Sequence, residues 1–314
     1  MLLFGLPNEL LCQICEDLRT AQDIASFNRV NRQLYRVTEE YLYRFDAREG
    51  RSSALLWAAV HGRLQTAKKA LKELQRDEQL TDGSGTDANT TNATATNPID
   101  SALVHAAEKG RTALVRLLVE NGADWSWRDP ERRQSAMEAA CSNGHIEVVK
   151  VLLNMGAEAS EGYYMRPYPI QCAAMMGYTE IVRLLIDTGA SADTCSDRPE
   201  GGSFPPLQLA VRGDHEGTAK LLIAKGAKIN LRIGRMHTAL EEAVMGNRLW
   251  AVRLLLASGA MVFAPHSGLV RRPALKWAEK PGREEIFELI KDQTVHVWPE
   301  GFSEEDTAAK RAMP

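Results

Sequence analysis

One phrase recurs along the chain, and it limits the possible folds more than any other feature. Residues 106–124 read AAEKGRTALVRLLVENGAD, residues 139–158 read AACSNGHIEVVKVLLNMGAE, and residues 173–190 read AAMMGYTEIVRLLIDTGA. Take the glycine after the alanine pair (Gly110, Gly144, Gly177) as a landmark. Apolar residues then follow at plus four, five, seven, eight and nine: Leu114, Val115, Leu117, Leu118 and Val119 in the first phrase, with equivalents in the others. That spacing paints one broad stripe on a helix of two to three turns. A second glycine and an alanine close each phrase (Gly122–Ala123, Gly156–Ala157, Gly189–Ala190), as a left-handed helix stop requires.

Weaker copies keep the frame. PPLQLAVRGDHEGTAKLLIAKGA and TALEEAVMGNRLWAVRLLLASGA carry Asp214 and Asn247 at the landmark, with glycine one residue earlier. SALLWAAVHGRLQTAKKALKEL and PALKWAEKPGREEIFELIKD supply an eroded first and a glycine-poor last copy. The copies begin near Ser53, Ser101, Ser135, Tyr168, Pro205, Thr238 and Pro273, and after the first interval the period is in the middle thirties or just below. Each unit predicts a short alanine-rich helix, a tight turn, a longer amphipathic helix and a returning loop. One such pair cannot bury its own stripe, but stacked neighbours can.

This pattern resembles the ankyrin repeat, T-P-L-H-x-A-A-x-x-G followed by an L-L-L-x-x-G-A helix end. The resemblance implies an all-α helix-turn-helix array over residues 53–291, with finger loops beside a concave face lined by the first helices. No copy carries the full T-P-L-H; YPIQCAA, PPLQLAV and TALEEAV come closest, which predicts a thin capping network. His145 stands where this family often places histidine, and the resemblance makes it structural. Between the first two copies, TDGSGTDANTTNATATNP contains no apolar residue larger than alanine. Such a segment cannot offset its own ordering entropy, so a disordered insertion is expected over about 80–97.

The first 44 residues do not share the period. Leu6, Leu10, Leu11, Ile14 and Leu18 fall at helical spacing behind Pro7, Asp23 suits the cap of a second helix with Ile24, Phe27 and Val30, and Leu34, Tyr35, Val37 and Leu42 mark a third. Three short helices make a core too small to stand without support. This stretch resembles the F-box, in the pattern Leu6, Pro7, Glu9, Leu10, Ile14, Leu18, Asp23, Ile24, Phe27, Val30, Asn31, Arg32. The resemblance implies that Leu6, Pro7, Glu9, Leu10, Ile14, Leu18, Ile24 and Val30 dock a Skp-type adaptor, and through it a cullin–RING ubiquitin ligase. Residues 45–52 then read as a linker and 292–314 as a C-terminal tail.

Chemistry-bearing patterns are lacking. There is no phosphate loop and no His-Glu-x-x-His. Cys12 and Cys15 have no second pair and sit on the apolar helix of the F-box match, so buried structural thiols are expected. Asp214, His215 and Glu216 gather in GDHEG, which occupies a turn between helices and reads as solvated. No catalytic residue, metal or cofactor is expected. The net charge of -3 gives no global pull toward nucleic acid, and no window reaches the roughly 18 apolar residues of a membrane span. The start MLLFGLPNELL lacks a basic leader, which predicts a cytoplasmic or nuclear chain with reduced thiols.

Binding is what remains. By register, Trp57, His61, Glu108, Lys109, Met175, Met176, Arg212, Glu242 and Met245 look into the groove. Fingers add Trp127, Arg128, Arg132 and Arg133; Tyr163, Tyr164, Met165 and Arg166; Arg232 and Arg235; Phe263 and His266. Aromatic, methionine and arginine side chains are the common anchors of interfaces. The expected target-binding set is Trp127, Tyr163, Tyr164, Arg166, Met175, Met176, Arg232 and Arg235, while Trp125 is expected in the core. Two functions fit: a ligase substrate receptor, or an ankyrin scaffold whose F-box-like helices only cap the first repeat.

Overall fold

A computed structural model describes residues 53–81, 97–130, 132–160, 167–195, 204–233, 237–262 and 273–295. The expected docking helices (1–44), linker and most of the tail lie outside the described residues. Helices run in consecutive short–long pairs: α1 Ser53–His61 and α2 Leu64–Thr81; α3 Pro98–Glu108 and α4 Thr112–Glu120; α5 Ala136–Ser142 and α6 Ile146–Asn154; α7 Pro169–Met175 and α8 Thr179–Asp187; α9 Pro206–Arg212 and α10 Glu216–Ala224; α11 Ala239–Met245 and α12 Leu249–Ala257; α13 Pro273–Ala278 and α14 Glu284–Val295. Among the described residues extended pairing is confined to one bridge, Arg128 with Ser135. The chain divides into two compact units, Met1–Glu158 and Ala159–Pro314. In each, first helices stack on first helices and second on second, with the first-helix layer the closer packed.

The alanines explain that closeness. Ala58, Ala59, Ala106, Ala107, Ala139 and Ala140 in the first unit, and Ala173, Ala174, Ala210 and Ala243 in the second, are fully buried between neighbouring first helices. On the second helices of the five middle copies the plus-four, plus-five and plus-eight positions are buried (Leu114, Val115 and Leu118, for example), whereas Val119, Leu153 and Ile186 at plus nine are only half-buried. The stripe is therefore narrower than its letters suggest.

Helix length follows the stop glycine. At the end of α4, Gly122 takes φ 88°, its N–H bonds Val119 O at 3.0 Å and the Ala123 N–H bonds Leu118 O at 3.0 Å. That closes the helix after nine residues. The first copy has Leu74–Gln75 in place of glycine–alanine, and α2 runs on for 18 residues. It ends at Thr81, and Asn97 caps α3 by accepting from Ile99 N at 3.1 Å. Of the segment expected to be disordered over about 80–97, residues 80–81 are thus helical and Asn97 caps α3, while 82–96 lies outside the described residues. Similarly, α14 extends past 291 to Val295.

The capping network is fuller than expected, because other residues do the work of the missing T-P-L-H letters. Ser135 and Glu138 form a reciprocal capping box (Ser135 N to Glu138 Oε2 3.2 Å, Glu138 N to Ser135 Oγ 3.3 Å), and Thr238 and Glu241 form another. Tyr168 N donates to Gln171 Oε1 at 2.8 Å, while Gln171 Nε2 reaches Phe204 O at 2.8 Å. Gln208 Nε2 likewise reaches Leu231 O at 2.9 Å. Its Oε1, however, is buried without a partner. The reason is local: the cap residue in this copy is Pro205, which has no N–H to give.

Candidate functional site: the ladder of first-helix ends

The residue two before the landmark lies at the end of a first helix in the second to sixth copies and within two residues of it in the first and last, where backbone carbonyls lack helical partners. The next repeat supplies one. In the first unit, Arg111 Nε donates to Val60 O (3.4 Å) and His145 Nε2 to Glu108 O (2.8 Å). In the second unit, His215 Nε2 donates to Met175 O (3.0 Å), Arg248 to Arg212 O (2.7 Å) and Arg283 to Met245 O (2.8 Å). The donor is always the residue just after the landmark. At roughly 0.5–1.5 kcal/mol each, these bonds matter less for stability than for fixing the step from one repeat to the next.

The landmark glycine makes room for that donor. A Cβ on Gly110 (φ 66°) would lie 2.6 Å from His145 Nδ1, and one on Gly177 would strike the His215 ring. Where the glycine moves one residue earlier, the crowding changes partner: a Cβ on Gly213 or Gly246 would collide with the donor of its own copy, His215 or Arg248. The landmark then carries a polar side chain at positive φ (Asp214 64°, Asn247 55°) that bonds the following repeat. Asp214 Oδ1 accepts from Trp250 Nε1 (2.7 Å) and pairs with Arg248 (3.5 Å), and Asn247 Nδ2 donates to Gly282 O (3.2 Å). GDHEG is therefore more than a solvated turn: Asp214 and His215 join repeats, and Glu216 pairs with Lys220. Among the described residues no group of His, Cys, Asp and Glu could hold a metal ion, and no helix is long and apolar enough to cross a membrane.

The ladder presents different side chains in the two units. In the first, Trp57 is 49% exposed and stacks on His61 with ring centroids 4.5 Å apart. Glu108 is held by Lys109 (2.9 Å) and by Arg132 from the finger. Arg128 of the finger is tied to the nearly buried Glu138 through both guanidinium nitrogens. Trp125, expected in the core, is half-buried, as is Trp127. His145 is held below the ordinary histidine range by burial, then by the charges of Arg111 and Lys109. Asp100, buried beneath the finger and accepting from Asp124 N at 2.7 Å, is raised by burial.

In the second unit, Met175 and Met176 are 46% and 45% exposed. Arg212 lies over the Phe204 ring (4.8 Å) and Lys280 over the Trp277 ring (4.2 Å). Met245 and Arg232 are half-buried. Glu242, read as groove-lining, is only 8% exposed. Of the expected target-binding set, Trp127 thus falls in the first unit and Met175, Met176 and Arg232 in the second. Tyr163, Tyr164, Arg166 and Arg235 lie outside the described residues, as do Met165, Phe263 and His266. Sequence reasoning missed Phe204, Trp277 and Lys280, whose signal was an aromatic residue near each cation of the ladder.

This geometry is that of an ankyrin array, and comparison with known proteins agrees. The family model described as Ankyrin repeats (3 copies) matches residues 55–163 and 161–233, and a model described as F-box-like matches residues 3–46. The chain belongs to the ankyrin-repeat family, with an F-box-like domain ahead of the repeats. It is 31% identical over 213 residues to an ankyrin repeat and KH domain-containing protein of Caenorhabditis briggsae, covering 68% of this chain but 8% of that one. The crystal structure of the human ASB11 ankyrin repeat domain matches with a TM-score of 0.56 at 24% identity, over 75% of this chain and 96% of that one, which is a likeness of fold. F-box-like and ankyrin domains are interaction modules, typically non-catalytic, and their combination marks a protein-interaction adaptor.

Proposed function

We propose that this chain is the substrate-recognition subunit of a Skp–cullin–F-box ubiquitin ligase. Its N-terminal segment docks a Skp-type adaptor, its repeats hold the target protein, and the chain itself catalyses nothing. The observation that carries this reading is the F-box-like match over residues 3–46 placed directly ahead of the repeats. The ladder supports it, since its outward side chains are methionine, arginine and aromatic residues on a backbone pinned to the next repeat at Met175, Arg212 and Met245. The test is co-purification of the full chain with a Skp-type adaptor and cullin. Replacing Leu6 and Pro7 together by alanine is expected to abolish adaptor retention and leave the melting of the repeats unchanged. Equal retention by the double variant, or none by the native chain, removes the ligase reading and leaves a scaffold.

A further inference from the structure

The residues two before the landmark in the second unit are, in order, Met175, Arg212, Met245 and Lys280. Apolar and cationic side chains alternate from repeat to repeat. Met176 widens the first apolar step, and each cation is held against a ring, Arg212 on Phe204 and Lys280 on Trp277. Such a contact restrains the guanidinium or ammonium without neutralising it. Of the carboxylates near the row, Asp214 is engaged by Arg248, Asp193 by Lys228 and Glu241 by His237, while Glu279, next to Lys280, is exposed and forms no ion pair among the described residues. The spacing is fixed as well, because the carbonyls of Met175, Arg212 and Met245 are each bonded to the following repeat.

Packed helices stand about 8–10 Å apart. A polyproline-II segment advances about 9 Å per turn of three residues and presents every third side chain on the same side. An extended strand also covers about 10 Å in three residues, but its third side chain points away. Glu242 adds a constraint. It lies three residues before Met245 on α11, hence on the same face, and it is nearly buried and forms no ion pair among the described residues. An acidic partner residue facing α11 would meet that carboxylate, so the acids must face α9 and the turn after α13. We propose, resting on the reading that the repeats hold the target, that this row reads a polyproline-II segment with the period apolar–x–x–acidic, repeated twice.

The experiment is fluorescence anisotropy with the full chain and a labelled ten-residue probe, Leu-Pro-Pro-Glu-Pro-Pro-Leu-Pro-Pro-Glu. Control probes of the same composition place leucine and glutamate two or four residues apart, and a further probe carries lysine for glutamate. The three-residue spacing is expected to bind at least tenfold more tightly than either control. Charge reversal by Arg212→Glu with Lys280→Glu is expected to abolish that binding and favour the lysine probe. Neither side chain makes an inter-repeat hydrogen bond, and matching melting curves check that the variant folds. If it does not fold, the spacing series on the native chain decides. Equal affinity across spacings, or no binding of any probe, overturns the proposal. Adaptor retention is measured separately, so loss of the spacing preference with retention intact rejects this inference alone, and the reverse result rejects the ligase reading alone.

Discussion

Replacing Pro205 by threonine should make the protein more stable, although proline in an ordered turn usually stabilises. Gln208 is 2% exposed, and its Oε1 lacks the cap N–H that Ser135, Tyr168 and Thr238 give to the matching residue of their own copies. A buried acceptor without a donor costs about 1–3 kcal/mol. A threonine hydroxyl at the cap adds about 1 kcal/mol by accepting from the third helical N–H. Against these stands about 0.4–1 kcal/mol of chain entropy that proline removes from the unfolded state, plus some lost contact from a buried ring. The backbone is ready, since Pro205 sits at φ -55°, ψ 152° and Thr238 at φ -78°, ψ 167°. A net gain of about 1 kcal/mol follows, or roughly 2–4 °C in Tm for a folded region of this size. Because arrays need not unfold in one step, hydrogen exchange of the α9 amides should accompany thermal and urea melts. Pro205→Ala, which restores the N–H alone, should recover only part of the gain. A threonine variant equal to or weaker than the native chain would refute the reasoning.

Other perturbations separate the remaining effects. Gly110→Ala should cost about 2–3 kcal/mol in urea titrations, combining left-handed strain with displacement of the His145 bond. Gly122→Asn, at φ 88° with nothing within 4 Å of the added Cβ, should cost under about 1 kcal/mol. His145 has a folded pKa below its unfolded value of about 6.5, so its neutral form is the one the fold favours and the unfolded state binds more protons. Its contribution should be complete above pH 6.5 and fade as pH falls below that, a slope measured as native minus His145→Gln across a pH series of melts. Deleting 85–91, about half of the residues between Thr81 and Asn97, should leave Tm nearly unchanged, since halving a loop alters closure by about 0.6 kcal/mol; a drop of many degrees would show that these residues pack on the repeats.

The helix pairs are legible in the sequence because two independent signals agree: the 3.6-residue stripe and a glycine where the chain must leave the helix. The caps are legible only when donors and acceptors are followed instead of family letters. Glu138 and Glu241 stand three residues after a serine or threonine, a capping-box spacing visible in SAME and TALE. Periodicity does not reveal that Arg128 is taken up by an ion pair, because its partner Glu138 lies across a finger turn. The cation–ring pairs are hidden for a similar reason, with Phe204 in a loop and Arg212 at a helix end. Trp125 shows the limit of slot-by-slot reasoning: a side chain placed in the core by its position in the repeat stays half outside.

The displaced glycine also governs which copies could exchange places. In the second copy the landmark space is filled by the histidine that follows from the third, whereas in the fifth copy that space holds Asp214, and the glycine clears its own histidine instead. The junctions after the second and fifth copies are thus keyed pairs, with the key cut on one copy and the lock on its successor. A gene duplication that set the fifth copy in front of the third would present Asp214 to His145 where an empty glycine stands now. Growth of this chain by tandem duplication is therefore tolerated at some junctions and resisted at others, and the order of its repeats carries information that their individual sequences do not.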